Sequence, residues 1–159
     1  DIGYTVGVGA AVQNGVGPQA PFKGSPVVGI TGDAGVAYSI MEFDTLGKYR
    51  IPAVMIVYNN NAWGVWTSGA GRGAVRAQHM YLFQENLRYD KIAEALGCNG
   101  EYVTSAEQFM PALERGYELA AREGISTLIN CQGKKEFWTN AYPPAMPRHF
   151  APGALAYYK

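Results

Sequence analysis

The sequence predicts an α/β protein, a three-layer, doubly wound and mostly parallel sheet with helices on both faces. Three observations predict it. Short apolar runs rich in β-branched residues alternate with longer stretches of helical period. Those runs are apolar on both parities, as strands buried on both faces should be. The 20 glycines among 159 residues supply tight turns between them. Regular alternation of strand and helix argues parallel pairing through right-handed crossovers.

The elements follow in order. Residues 3–17, rich in glycine, alanine and valine, suit a helix packed closely against a neighbour, or an active-site loop running into one. After the turn-forming "NGVGPQAPFKGS", the run "PVVGIT" is the first buried strand, broken by "GDAG". Between Val36 and Lys48, Ile40, Met41, Phe43 and Leu46 fit one helix with a broad buried face, and "YRIP" ends it because the residue before a proline avoids the α region. "AVMIVY" is the second buried strand. "NLRYDKIAEALG" reads as a helix capped by Gly97, and "EYV" as a short strand. In "TSAEQFMPALERGYELAAREG", Thr104 and Glu107 stand at capping-box spacing, while Pro111 favours a break or kink near the first turns. "STLINCQ" is the last buried strand. From Gly133 the chain turns to four prolines and six aromatics without period, an extended tail laid over something. The expected organisation is one domain over residues 1–132 and a C-terminal tail over 133–159 that covers a site or contacts a subunit.

Composition narrows the class. Apolar residues make up 48% and charged residues 16%, which suits a globular domain and not a disordered or fibrous chain. Thirteen basic and thirteen acidic residues cancel, so nothing advertises nucleic acid or an acidic membrane surface as partner. Cys98 and Cys131 stand far apart with no second cysteine or histidine at metal-ligand spacing, and read as reduced thiols in a cytoplasmic core. No stretch reaches the roughly 18 apolar residues of a membrane span, nor does a charged start precede an apolar signal segment, so a soluble, cytoplasmic protein is expected. The opening "DIGYTVGVGAAV" reads like the interior of a longer polypeptide.

The chemistry lies in "GDAGVAYSIMEFDTLGKYRIPAVMIVYNNNAWG". In a strand, helix, strand unit the two strands usually lie side by side, so residues just past their C-terminal ends meet at one sheet edge, where ligands of open α/β sheets bind. Asp33 and Asn60 occupy those two positions. A carboxylate, an amide oxygen and a nearby backbone carbonyl are hard ligands suited to Mg²⁺ or Ca²⁺. Magnesium held by so few protein groups completes its shell with water and phosphate oxygens, so a diphosphate is implied. The amides of Ala34 and Gly35 open the next helix, whose N–H groups and dipole favour an anion. The plainer reading is that Asp33 merely caps a helix and the asparagines merely form a turn.

This segment resembles the thiamine-diphosphate-binding signature, a Gly-Asp-Gly turn followed some two dozen residues later by paired asparagines. "DIGYTVGVGAAV" is similar to the segment leading into that domain, and "LRYDKIAEALGCNGEYVTSAEQF" with "STLINCQ" to its later half. The family is the thiamine-diphosphate-dependent decarboxylase and carboligase superfamily. "SIMEFDT" and "NNNAWG" read closest to its 2-hydroxyacyl-CoA lyase and oxalyl-CoA decarboxylase branch, with acetolactate-synthase-like enzymes as near neighbours.

The resemblance implies that Asp33 and Asn60 ligate Mg²⁺ through side chains and Ala62 through its carbonyl. It places Gly32, Ala34, Gly35 and the stretch Trp63, Gly64, Val65 around the diphosphate, and makes Ile2 the apolar residue over which thiamine diphosphate folds. The third motif position is Ala34 instead of glycine, a small departure. No residue of this chain matches the glutamate that activates the aminopyrimidine ring, so no catalytic residue is assigned here; Glu42 looks structural. That glutamate belongs to a pyrimidine-binding domain of the same or a neighbouring subunit. The implied assembly is a homodimer or tetramer of a longer chain, or a hetero-oligomer of split subunits, acting on a 2-oxo acid or an acyl-CoA. Alternatives are a non-catalytic binding or regulatory module of the same fold, an acetolactate-synthase-like carboligase, and a Mg²⁺-dependent phosphoryl-transfer domain, which lacks a second acid and a suitable lysine.

Several residues invite a role without earning one. His79, in a loop after the second strand, and His149, in the tail, read first as surface or packing histidines. "TSGAGRGAVR" lacks the Gly-Lys-Ser/Thr ending of a phosphate loop. Arg72, Arg76, Lys134 and Lys135 could meet coenzyme A phosphates, but scattered loop cations are usually only solvated. Trp63 could line the cofactor pocket, and Trp66 follows it without helical spacing.

Overall fold

A computed structural model describes residues 2–63 and 82–134. The tail beyond Lys134, with His149, and the segment 64–81, with Gly64, Val65, Trp66, Arg72, Arg76 and His79, lie outside the described residues.

Helix α1 (Ile2–Asn14) leads through a 3₁₀ turn (Gly17–Phe22) to strand β1 (Val27–Gly32). Helices α2 (Asp33–Ser39) and α3 (Glu42–Lys48) precede β2 (Ala53–Asn59). Then come α4 (Tyr89–Ala95), β3 (Asn99–Val103), α5 (Ala106–Glu123) and β4 (Thr127–Gln132). The four strands form one sheet in the order β1-β2-β4-β3, and every pairing is parallel. The predicted fold class holds.

Alternation along β2 divides the core. Ala53, Met55 and Val57 face a layer holding Ile2, Val36, Phe43, Leu46, Tyr89 and Leu128, whereas Val54 joins Val103, Ala112, Ala120 and Ile129 on the other side. α1 comes close to β1 because Gly29 has no side chain: a Cβ there would lie 2.5 Å from Thr5 Oγ1 and 2.6 Å from Met55 Cε. α5 lays a stripe of small residues, Ala112, Gly116 and Ala120, on the sheet. It stops at Gly124, whose left-handed φ of 66° lets its N–H reach the Ala120 carbonyl at 3.0 Å.

Four local expectations need correction. The helix expected over 36–48 is two short helices, because at Ile40 and Met41 the bonds tighten to i→i−3, from Phe43 N to Ile40 O and from Asp44 N to Met41 O, both 3.0 Å. The cap of α5 is Ser105, not Thr104, and Gln108 Oε1 accepts from the Thr104 N–H at 2.8 Å. Pro111 lies inside α5 without ending it. Among the described residues β1, apolar on both parities, is an edge strand whose Val28 and Ile30 are 46% and 72% exposed, since the helix described on that sheet face, α5, sits chiefly over the other strands.

Candidate functional site

β1 and β2 are paired in register up to Gly32 opposite Tyr58, so Asp33, one residue on, and Asn60, two residues on, leave the same edge of the sheet. The structure brings them together on one atom. The Ala62 N–H donates both to Asp33 Oδ2 at 3.1 Å and to Asn60 Oδ1 at 3.2 Å. Asp33 Oδ1 accepts from the Ala34 N–H at 2.8 Å. That amide therefore serves the aspartate itself, and the expectation that it greets an anion needs amending; α2, two turns long, begins at Asp33.

Asp33 is only 3% exposed and no basic side chain among the described residues pairs with it. Burial pushes its carboxyl above the usual range, against backbone N–H groups of Ala34, Ala62, Asn61 and Asn60 that pull it down. Tyr89, buried and within the field of Asp33, is pushed up to about 12.

A buried anion beside an amide oxygen, both drawing on one N–H, is an arrangement that a divalent cation would relieve. One further feature fits one: Asn61 Oδ1, buried, has no hydrogen-bond partner among the described residues, while the Asn61 carbonyl accepts from the Phe83 N–H at 2.9 Å. The donor set of carboxylate, amide and carbonyl oxygens matches a hard ion that retains other ligands of its own. No cluster of three or more His, Cys, Asp or Glu stands among the described residues.

The turn has a polar support that the sequence reading missed. Asn59, fully buried, accepts from Asn61 N at 3.1 Å through Oδ1, and donates through Nδ2 to Leu87 O at 3.0 Å and Asn130 Oδ1 at 3.1 Å. Asn130 donates in turn to Leu87 O at 2.8 Å and Asp90 Oδ1 at 3.1 Å. Burial raises the Asp90 carboxyl, but hydrogen bonds from Arg88 and Asn130 and the Arg88 charge outweigh it and hold it below the usual range. The signal was there: an amide inside the apolar run of β4 needs partners.

Other expected site residues are placed as follows. Trp63 stacks edge-on against Tyr38 at 6.0 Å between ring centroids, and the two line a cleft of about 230 Å³ with Ala34, Ala37 and Phe83. Gly32 closes β1 as the residue before Asp33. Gly35 has no Cβ to press on Thr31 Oγ1, which would lie 2.3 Å away. Ile2 is fully enclosed in the core with Val36 and lines no open surface. Glu42 accepts from Thr45 Oγ1 at 3.2 Å in the first turn of α3. Cys98 and Cys131 are free thiols, the first buried and the second half-buried. No helix of the described residues is long and apolar enough to cross a membrane.

Comparison with known proteins follows this geometry. Residues 2–131 match the family described as "Thiamine pyrophosphate enzyme, C-terminal TPP binding domain". The chain is 32% identical over 133 residues to oxalyl-CoA decarboxylase of Escherichia coli K12, covering 81% of this chain and 21% of that one. It is 32% identical over 108 residues to the acetolactate synthase large subunit of Mycobacterium tuberculosis H37Rv, covering 65% and 18%. With 2-hydroxyacyl-CoA lyase 2 of Caenorhabditis elegans it shares 27% over 143 residues, covering 84% and 21%. The thiamine diphosphate-dependent 4-hydroxybenzoylformate decarboxylase of Rhodococcus jostii RHA1 shares the fold, with a TM-score of 0.57 and 24% identity over 70% of this chain and 20% of that one. This chain thus spans about a fifth of the length of the relatives it matches. Matched over residues 2–131, this chain belongs to the family of the thiamine pyrophosphate enzyme C-terminal TPP binding domain.

Proposed function

We propose that this chain supplies the diphosphate- and magnesium-binding half of the active site of a thiamine-diphosphate-dependent enzyme that breaks or forms a carbon–carbon bond next to a carbonyl. The observation that carries the proposal is the convergence of Asp33 Oδ2 and Asn60 Oδ1 on the Ala62 amide. In this reading the side chains of Asp33 and Asn60 and the carbonyl of Ala62 hold Mg²⁺, which anchors the diphosphate. Gly32, Ala34, Gly35, Trp63, Gly64 and Val65 border the cofactor, and Ile2 backs the wall behind it.

When bound, the thiazolium supplies an electron sink for the bond that changes. This chain's residues bind and orient. Asp33, buried with no basic partner among the described residues, favours a divalent ion at one point of the edge. Trp63 and Tyr38 meet edge-on beside that edge, with Tyr38 still 75% exposed, and give it an aromatic border. Glu42 is bonded within α3, which supports a structural role; the activating carboxylate belongs to a pyrimidine-binding domain of the same subunit or a neighbour. The substrates in this reading are 2-oxo acids or 2-hydroxyacyl-CoA thioesters, supported by likeness to an oxalyl-CoA decarboxylase and an acetolactate synthase.

The test is calorimetric titration of thiamine diphosphate into the native assembly containing this chain, with Mg²⁺ and with chelator, for the unchanged protein and Asp33→Ala. Metal-dependent binding lost in the variant supports the site. Equal binding by both would remove Asp33 from it, and no binding by a folded assembly would leave a scaffold that keeps the fold alone.

A further inference from the structure

We infer that Asn130, in the middle of β4, is a positioning residue for the turn Asn59–Ala62. The inference rests on the reading of that turn as the Mg²⁺ and thiamine diphosphate site. It is carried by one continuous chain of hydrogen bonds. Asn130 Oδ1 receives Asn59 Nδ2 at 3.1 Å, and Asn59 Oδ1 receives the Asn61 N–H at 3.1 Å. Asn61 adopts a left-handed φ of 56°, a conformation that asparagine tolerates but that needs fixing by its surroundings. That reversal turns the next amide, Ala62 N–H, back toward Asp33 and Asn60.

The far end of the chain is anchored in two directions. Asn130 Nδ2 donates to Leu87 O at 2.8 Å and to Asp90 Oδ1 at 3.1 Å, so α4 and the segment before it set the plane of the amide. Both Asn59 and Asn130 have no exposed surface, so neither can exchange these partners for water. A buried amide with both polar atoms bonded in this way has essentially one orientation. The register of β4 against β2 is thereby transmitted to the peptide that bears the Ala62 carbonyl. If the role of Asn130 were only to hold β4 and α4 together, its loss would lower stability and leave the turn's ligand geometry unchanged.

Asn130→Leu removes the three bonds and keeps the branched four-atom side-chain shape, though with bulkier methyl groups, and Asn130→Ser, which adds no bulk, is the second variant should the leucine variant not fold. The control is Ser126→Ala at the opposite end of the sheet, where Ser126, fully buried, bonds Ile51 O at 2.6 Å. In the native assembly, Mg²⁺ is titrated by calorimetry at saturating thiamine diphosphate, and the urea midpoint is recorded in chelator. Loss of a residue that orients a ligand shell typically weakens metal affinity by roughly 10- to 100-fold. An Asn130 variant should raise the Mg²⁺ half-saturation by that factor, whereas Ser126→Ala lowers the urea midpoint with half-saturation unchanged. Wild-type half-saturation in a folded Asn130 variant overturns the positioning role. Absence of any Mg²⁺ effect in the unchanged protein overturns the underlying site instead.

Discussion

Adding one methyl at Gly100 tests how rigidly α4 is seated against the sheet. A Cβ there would lie 2.4 Å from the Asp90 carbonyl oxygen, 2.9 Å from its carbon and 3.1 Å from Asp90 Cα. These are backbone atoms, so no rotamer change relieves the contact. Reaching a 3.0 Å separation requires a retreat of about 0.6 Å by the first turn of α4, and close-packed interiors resist such shifts. Overpacking of this kind costs about 1–3 kcal/mol. The same retreat stretches the bond from Asn130 Nδ2 to Asp90 Oδ1, now 3.1 Å, beyond useful length, and a hydrogen bond to a charged group contributes about 1.5–3 kcal/mol. Alanine regains about 0.5–1 kcal/mol over glycine in a strand. Gly100→Ala should therefore lose about 1.5–5.5 kcal/mol in urea unfolding, with the slope unchanged. Gly9→Ala is the comparison, because its 2.4 Å contact is Ile51 Cγ2, the end of a side chain that can turn. A loss under about 1 kcal/mol for Gly100→Ala, or one no larger than for Gly9→Ala, would refute the distinction between a backbone wall and a movable side chain.

Gly7→Ala meets nothing within 4 Å of this chain and should stabilise the helix by about 1 kcal/mol, read as a higher urea midpoint. Arg88→Gln leaves the buried Asp90 carboxylate without its cation and should lose about 2 kcal/mol at neutral pH, discounted because Arg88 is itself 42% exposed. The depressed Asp90 carboxyl contributes stability that is present above its unfolded pKa and lost as pH falls through the folded one, so this difference should shrink in acid. Asp33 has the opposite sign. Its carboxyl is raised by burial, so the fold is favoured below the unfolded pKa and that advantage disappears as pH rises through the folded one. In chelator, Asp33→Asn should gain on the unchanged protein as pH rises above the usual carboxylate range, and urea midpoints that run parallel would count against it. Burial pushes the Cys98 thiol up to about 11, so a thiol reagent at pH 8 should label it only on unfolding, as mass spectrometry can check.

β1, β2 and β4 were legible because their apolar runs are short, β-branched and bounded by turn residues, and β3 as the short "EYV" between two helical stretches. The meeting of Asp33 and Asn60 was legible for a topological reason: a right-handed crossover between neighbouring parallel strands puts their ends at one edge. The exposure of Val28 and Ile30 was not, since apolar pattern does not distinguish an edge strand from a central one. Nor was the tight step at Ile40 and Met41, where both residues keep right-handed dihedrals and only the bonding partner changes. The network of Asn59 and Asn130 joins positions 71 residues apart, which local spacing cannot pair. An unaccompanied asparagine in "STLINCQ" announced that a partner existed, without naming it.

The strand order sets the timetable of folding. β4 is last in sequence yet lies between β2 and β3, and it is the only strand with which β3 pairs among the described residues. During synthesis the first two strands can associate early, but β3 must wait for Thr127–Cys131 before it has a neighbour. Leu128 enters one core layer and Ile129 the other, so the arrival of a single strand closes both. Completion should be a late, concerted event dominated by distant contacts and correspondingly slow. A nascent chain paused before Thr127 would leave open the edges of β2 and β3 that β4 covers, which is where chaperone binding and aggregation would concentrate.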